Sequence, residues 1–488
     1  MDSGQNKDEK SLNTEVVVIG GGGTGLAAAV TAAEKGAKVI VLEKRGAPGG
    51  NTAMAIGLLA AESAVQKRMS ISAPKDEIFK AAMDYSHWRI NPRIFRAFVE
   101  KSGDTIHWLE EKGLKFNEIP SMFPGQVFRT WHCAEASKGT GALLIKLFRK
   151  QCEDLGVRLL TRCPVKKILT SEKGEVTGVL TEMKGQELRI AAKSVIIATG
   201  GYGGNKELLK KYFPSYHDNM CYGGFPHVTG DGLLMAIEIG AATEGLGTLM
   251  LHPHFYPGPA HINAVAAQPL LVWVNKNGER FTDETITFHY TECGNIINRQ
   301  PDKIVYALFD EKLKDRIMEE GILTLGLRET GVWAGAKLIN LGKELQIEGK
   351  KGGVKISDSW DGIVKWMGVA SQVLKSTIEE YNSFCDQGYD AIFAKDRRYL
   401  QALRTPPYYA IKCYLSFLTT IGGIKINHHM EVLNSQDNPI LGLYAGGDAA
   451  GGWESDTYCM SLAGSAFGFA INSGRIAGEN AAKYVLGK

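Results

Sequence analysis

The sequence predicts an α/β protein: a Rossmann-like nucleotide-binding domain interrupted by a second, α+β domain. Three observations carry that expectation. A turn of the form Gly20-x-Gly22-x-x-Gly25 stands between an apolar strand pattern and an alanine-rich helix pattern. Further apolar segments, far apart in the chain, each run into glycines, at 46–57, 193–205 and 442–452. Between about 249 and 405 this alternation gives way to mixed strand and helix patterns. At 488 residues the chain exceeds what one hydrophobic core usually organises, so two domains are expected, one inserted in the other.

The first fifteen residues, MDSGQNKDEKSLNTE, are polar and mixed in charge. They lack the basic-then-apolar order of a signal peptide and read as a frayed tail. Residues 16–33 carry no charge and approach membrane-span length, but four consecutive glycines imply a strand, a turn and a helix, with no membrane span. Val16–Ile19 is the strand, Leu26–Lys35 the helix, and Val39–Leu42 a second strand ending at Glu43. Gly20 permits the tight turn, Gly22 lets a pyrophosphate approach the backbone, and Gly25 lets helix and strand pack closely. The helix N-terminus, at Gly23 and Thr24, offers free N–H groups to phosphate, and Glu43 accepts from a ribose 2′-OH. An acid there disfavours a 2′-phosphate, so FAD or NAD fits better than NADP. The segments GAPGGNTAMAIG (46–57), KSVIIATGGYGGN (193–205) and GLYAGGDAAGG (442–452) then suit a long cofactor lying across several strand ends, which points to FAD.

Composition excludes several other classes. Hydrophobic residues at 44% and charged residues at 22% describe an ordinary globular protein. A net charge of +3 with no long basic run gives no footprint for nucleic acid. The eight cysteines (133, 152, 163, 221, 293, 385, 413 and 459) show no CxxC and no metal-ligand spacing, the usage of a reducing compartment, and a cytoplasmic location is expected. The 57 glycines stand well above the usual ~7% and cluster in short groups, as backbone brought close to a ligand would require.

With these segments TGDGLLMAIEIGA (229–241), NKNGERFTDE (275–284) and TTIGGIKIN (419–427), the chain from about 14 to 485 resembles the fumarate reductase/succinate dehydrogenase flavoprotein superfamily, which also contains the 3-ketosteroid dehydrogenases. The resemblance implies domains at 1–248 and 406–488 that together bind FAD, and a substrate cap at 249–405, whose return limb follows RTPPYYAIK. It implies that Gly20, Gly22, Gly25, Glu43 and Lys44 hold the AMP half. Gly50, Asn51 and Thr52, with Gly57 beyond them, would meet the pyrophosphate and flavin edge. Val165 would meet the adenine, and Ala198, Thr199, Gly200, Asp231, Gly447 and Asp448 the central region. A last helix over 461–482 would set Ser461, Leu462, Gly464, Ser465 and Ala466 at the isoalloxazine, favouring the anionic reduced flavin there.

Fumarate reductases also set expectations for the substrate side, and most of them fail in this sequence. His252 matches a carboxylate-binding histidine. Phe288 stands where the arginine proton donor is expected, and Ala264 and Ala267 where its relay is expected. Thr419 replaces a second carboxylate-binding histidine, and Ser461 replaces an arginine clamp. A dicarboxylate needs cations or paired donors to offset its desolvation, so a fumarate reductase is not expected. The site is nearer to the ketosteroid dehydrogenase branch, whose tyrosine base falls on Phe288, with His289 and Tyr290 just beyond. Tyr458, in ESDTYCMSLAG, resembles the tyrosine that hydrogen-bonds a substrate ketone in those enzymes. Arg129, Trp131 and His132 fall in a loop beside the flavin, and Trp273, His254, Tyr256, Tyr408 and Tyr409 add aromatic candidates.

The expected activity is FAD-dependent interconversion of CH–CH and C=C next to a carbonyl, on a neutral cyclic ketone or steroid-like molecule. Two alternatives stay open. One is a reductase of an unsaturated monocarboxylate, cinnamate- or urocanate-like, using His252 with Arg129 or Arg404; the other is a flavoprotein without redox turnover. No haem, iron–sulfur or second nucleotide motif is present, so a quinone, a flavodoxin-like protein or another external electron carrier is expected. Membrane-bound relatives attach FAD covalently through a His-Thr pair, whereas this chain has Asn51-Thr52. Acid precipitation of the yellow protein should therefore release its colour to the supernatant; a yellow pellet would refute non-covalent binding.

Overall fold

The computed structural model describes residues 11–123, 125–134, 139–252, 258–323 and 334–488; His254 and Tyr256 lie outside the described residues. Its centre is a six-stranded sheet in the order Glu431–Leu433, Pro439–Ala445, Ser194–Ile197, Val16–Ile19, Val39–Glu43, Arg158–Thr161. Five strands are parallel and the 431–433 edge is antiparallel. Their β-branched runs face packed layers on both sides, as parallel strands require, and Val16, Val17 and Val18 are fully buried. In a second sheet, ordered Ser11–Asn13, Gln186–Ala191, Val176–Met183, Val165–Thr170, the last three strands lie between the 158–161 and 194–197 strands in the chain and Ser11–Asn13 joins them from the N-terminal side.

The helix after the first strand spans Gly23–Glu34, starting earlier than the periodicity predicts because Gly22 is already its N-cap. It packs against the last helix, Ser465–Leu486. Small residues make that contact possible: a Cβ at Gly474 would lie 2.3 Å from the Thr24 carbonyl oxygen, and one at Gly478 2.4 Å from that of Ala28. The last helix begins four residues later than the expected 461. Gly464 takes φ +87° as its N-cap, a left-handed conformation that closes the 461–464 turn before the helix starts.

The inserted region builds an antiparallel sheet in the order Val272–Asn275, Ile304–Asp310, Tyr408–Tyr414, Val354–Ser357. Its third strand lies beyond residue 405, where the return limb was expected to start. Leu415 alone separates this strand from Ser416–Thr420, which pairs with Leu249–His252 and Cys221–Tyr222. The 284–298 stretch is helical, a 3-10 turn at Glu284–Phe288 followed by the helix Tyr290–Asn298.

A buried ionic cluster fixes the NGERFTDE segment. Arg280 donates from Nε and Nη2 to both Glu284 oxygens at 2.8 Å and pairs with Asp390 at 2.7 Å. Lys395 Nζ lies 2.9 Å from Glu284 and donates to the Leu271 carbonyl at 3.0 Å. Glu284 also accepts the Trp273 N–H, at 3.0 Å. Burial alone would raise the Glu284 carboxyl, but the charge of Lys395 and the bonds from Arg280 hold it below its usual range. Two cations and two anions with side chains at most 5% exposed form a neutral plug. Lys395→Met would leave an unbalanced buried charge and should cost roughly 3–5 kcal/mol in chemical denaturation. A loss below about 1 kcal/mol would mean that Arg280 alone suffices for Glu284.

Candidate active site

The carboxyl ends of the parallel strands open into a cleft. Fifteen of the residues expected at the cofactor line it. Gly20, Gly22, Gly23 and Thr24 come from the first turn, and Glu43 and Lys44 from the second strand end. Gly50, Asn51 and Thr52 form the 3-10 turn after it, and Val165 comes from the second sheet. Ala198, Thr199, Gly200, Asp231 and Asp448 close the far side. Gly25 does not line the cleft: a Cβ there would lie 1.9 Å from the Gly20 carbonyl oxygen, so its role is to let turn and helix touch. Gly447 likewise abuts Thr24, and Gly57 sits on a short strand against Trp131 and Cys133.

Glu43 is held ready. Its Oε2 accepts the Gly21 N–H at 2.9 Å and its Oε1 accepts the Arg45 N–H at 2.8 Å. Lys44 crosses the cleft wall to Asp231 at 2.7 Å, and both charges are partly exposed. Asn51 Oδ1 accepts the Phe225 N–H at 2.9 Å, tying the turn to the opposite wall. An open cradle of backbone at a helix N-terminus, with a fixed carboxylate at the neighbouring strand end, fits a dinucleotide. Ile19, Leu42, Cys163, His227, Val228, Met235 and Ala470 also line the cleft, and the sequence reading missed them. His227 and Met235 flank the quoted TGDGLLMAIEIGA segment or lie within it, but tertiary packing, which no local pattern encodes, brings them to the cleft.

A second group gathers at the N-terminus of the last helix. Tyr458 is 2% exposed, and its Oη accepts the Ala466 N–H at 3.0 Å. Burial, with Glu454 and Cys459 nearby, drives its hydroxyl well above the usual range, so it stays protonated. Asp448 also bears on Tyr458, so this group adjoins the cleft. Burial raises the Asp448 carboxyl to about 6, opposed by the Thr419 hydroxyl, which donates to it at 2.7 Å. Gly464 lies against Leu58 and Leu59, Leu462 is fully buried, and the Ser461 hydroxyl sits 3.1 Å from the Cys459 thiol. Sequence reasoning passed over Glu454, although an acid directly after the apolar and glycine run Ala450-Gly451-Gly452-Trp453 is a signal: it is 2% exposed, and burial pushes its carboxyl up to about 8.

The remaining candidates are spread more widely. His252 meets the Tyr290 ring edge-on at 5.0 Å, and His289 packs on Phe123 at 4.7 Å. Phe288 meets Tyr399 edge-on at 5.8 Å. Ala264, in the helix Ala260–Ala266, and Ala267, its C-cap, are buried, and Trp273 is in the core. Arg129 donates to the Ile119 carbonyl at 2.8 Å, and Trp131 packs with Cys133 and Ala463. His132 is buried between Ser63 Oγ at 2.7 Å and the Thr130 carbonyl at 2.8 Å, and burial lowers it to about 4, leaving it neutral. Arg404 pairs with Asp386 at 2.6 Å. Tyr408 stacks on Trp360, and Tyr409 on Phe309.

A family model described as an FAD binding domain matches residues 15–458. Vinyl phenol reductase of Lactiplantibacillus plantarum is 31% identical over 485 residues, covering 96% of each chain. Urocanate reductase of Eggerthella lenta is 28% identical over 485 residues, covering 97% of this chain and 75% of its own. The open conformation of a flavocytochrome c3 fumarate reductase matches with TM-score 0.76 at 28% identity, over 98% of this chain and 79% of that one. A 3-ketosteroid Δ4-(5α)-dehydrogenase from Rhodococcus jostii matches with TM-score 0.75 over 99% of both chains, a likeness of fold at 22% identity. Among the described residues no helix is long and apolar enough to cross a membrane.

The carboxylate of Glu43 is the charged acceptor of the cleft's first half. Glu43→Ala should weaken FAD binding about ten- to a hundredfold, the worth of one charge-assisted hydrogen bond. Recovery of free-flavin fluorescence on dilution measures this; unchanged retention would remove Glu43 from the cofactor site.

Proposed function

We propose, from the premise that this chain belongs to the FAD-binding family and is an FAD-dependent oxidoreductase, that it interconverts C=C and CH–CH bonds in a neutral, ring-bearing substrate whose alkene is conjugated to an oxygen function. The observation that carries this reading is the replacement of charge at the substrate side. Where a dicarboxylate would need cations, Phe288 packs on Tyr399, Thr419 is engaged by Asp448, Ser461 by Cys459, and Ala264 and Ala267 are buried. Asp448 would also repel an anion placed beside Thr419 once its own carboxyl ionises.

Bound FAD supplies hydride transfer. The chain supplies polarisation. The Ala466 N–H, at the positive end of the last helix, donates to Tyr458 Oη, which makes the phenolic proton a better donor to a substrate oxygen. That contact stabilises enolate or phenolate character as the conjugated bond reacts. A vinyl phenol is a neutral ring-bearing alkene with a phenolic oxygen, and the reductase named for it is 31% identical over 96% of the chain. A cyclic ketone, the substrate class of the ketosteroid branch, would use the same Tyr458 contact. Electrons would come from or go to an external carrier.

An acid-reducing alternative draws support from the urocanate reductase at 28% identity. Its carboxylate would need Arg129, Arg404 or His252. Arg129 is bonded to the Ile119 carbonyl and Arg404 to Asp386, so both guanidinium groups already have partners.

Anaerobic mixing decides between these readings. The oxidised protein is offered saturated cyclic ketones, and the dithionite-reduced protein 4-vinylphenol, cyclic enones, and cinnamate- or urocanate-like acids, while flavin absorbance is followed. Neutral ring-bearing compounds should exchange electrons with the flavin, and Tyr458→Phe should slow them about 100-fold. Reaction with the acids alone would overturn the proposal in favour of a carboxylate reductase. No spectral change with any compound would favour a flavoprotein without turnover.

A further inference from the structure

Two walls of the cofactor cleft touch each other. One is the second strand end and the turn after it, which bring Lys44 and Asn51 to the cleft; the other is the run 223–231, which brings His227, Val228 and Asp231. Three ties join them. At one end Lys44 Nζ donates to Thr229 Oγ1 at 3.0 Å and pairs with Asp231 at 2.7 Å, while the Thr229 hydroxyl donates to the second Asp231 oxygen at 2.6 Å. At the other end the Phe225 N–H donates to Asn51 Oδ1 at 2.9 Å. The third tie is Arg45, whose guanidinium lies over the Phe225 ring, 5.5 Å from its centroid; the His227 ring leans on the same phenyl group at 5.3 Å.

The run that carries Phe225 is a short surface span pinned on both sides. On the near side the Gly223 N–H donates to the Phe417 carbonyl at 2.9 Å, beyond the strand Cys221–Tyr222. On the far side the Gly204 N–H donates to the Val228 carbonyl at 2.8 Å and Asn205 Nδ2 to the Thr229 carbonyl at 3.1 Å. Gly230 then takes φ +84° as N-cap of the helix Asp231–Glu238, a left-handed conformation suited to glycine. Pro226 meets solvent, whereas Val228 is buried. Phe225 thus sits midway along the span, held down by Asn51 and Arg45.

We propose that residues 224–229 form a latched strap along the cofactor cleft. FAD enters and leaves when Phe225 lifts from Arg45 and Asn51 and Lys44 swings off Thr229 and Asp231, so these ties set the rate of cofactor exchange. The inference rests on FAD occupying this cleft and is independent of the substrate the flavin serves.

A dinucleotide carries a wide ring system at each end of a narrow pyrophosphate. Lying along the cleft, it does not slide out lengthwise past walls joined at both Lys44 and Asn51, so the ties part first. Each tie is weak enough to open thermally. The Lys44 and Asp231 side chains are 31% and 41% exposed, and Arg45 is exposed. All three ties are protein to protein. A contact that holds equally with and without ligand alters how fast the ligand passes and leaves the affinity unchanged. That separates a latch from a residue that grips the cofactor.

Lys44, Asn51 and Asp231 line the cleft themselves, so the test uses Arg45 and Phe225, which lie outside its lining. Bound FAD in the loaded protein is exchanged for excess isotope-labelled FAD and followed by mass spectrometry, and Kd is measured by flavin fluorescence on dilution. Arg45→Ala should speed exchange about two- to fivefold, the scale of one exposed cation–π contact. Phe225→Ala, which also frees the His227 ring, should speed it about tenfold, and adding Arg45→Ala to it should change nothing further. Phe225→Trp keeps an aromatic face for Arg45 and should exchange as slowly as the parent. In every variant Kd should stay within about twofold of the parent. Deuterium uptake by the 223–229 peptide should rise in the same order, as the Phe225 N–H leaves Asn51. Arg45 is exposed, so its variant tests the latch even where Phe225→Ala fails to fold. Faster exchange matched by an equal loss of affinity would mean that these residues grip the cofactor, and would overturn the latch. Exchange unchanged in Arg45→Ala, or faster exchange with uptake at 223–229 unchanged, would overturn it as well.

Discussion

The fold depends on backbone meeting backbone. The first turn and its helix touch because Gly25 carries no side chain to strike the Gly20 carbonyl. The last helix crosses the first because Gly474 and Gly478 let it rest on the Thr24 and Ala28 carbonyls. These contacts bring two helix N-termini, nearly the whole chain apart in sequence, to one end of one sheet. One cradles the cleft, and the other begins at Ser465 and donates the Ala466 N–H to Tyr458. A methyl group at any of these glycines would separate the helices and pull the two halves of the site apart.

Electrostatics are divided between the two halves of the molecule. In the inserted domain charge is balanced internally, with Arg280 and Lys395 against Glu284 and Asp390. Behind the last helix the burial of Glu454 is offset by protonation, its carboxyl being raised to about 8. The first arrangement holds a loop in place, while the second leaves Glu454 uncharged near neutral pH. A buried ion pair and a buried protonated acid solve the same desolvation problem by different means.

Much of the nucleotide half was legible in the sequence, because its geometry restricts residue type. Only glycine fits the turn at Gly20, and only an acid serves at Glu43, so local spacing sufficed. The substrate half was less legible. The family resemblance sets the start of the last helix at 461, whereas the left-handed Gly464 closes a turn over 461–464 before the helix begins. The partners of Arg280 and Glu284 lie more than a hundred residues away, at Asp390 and Lys395, and no local pattern joins them. Glu454 stood in a quoted motif beside Tyr458, yet only burial by three separate elements makes it more than a loop acid.

The strand Tyr408–Tyr414 pairs within the inserted sheet, and after Leu415 the chain already belongs to the strand beside Leu249–His252. Inserted sheet and supporting sheet are thus stitched by a single residue. For recombination between relatives, natural or engineered, this sets where modules can be exchanged. A graft cut at 405 would strand half of a seven-residue pairing in the wrong parent, whereas a seam at Leu415 carries each sheet across whole.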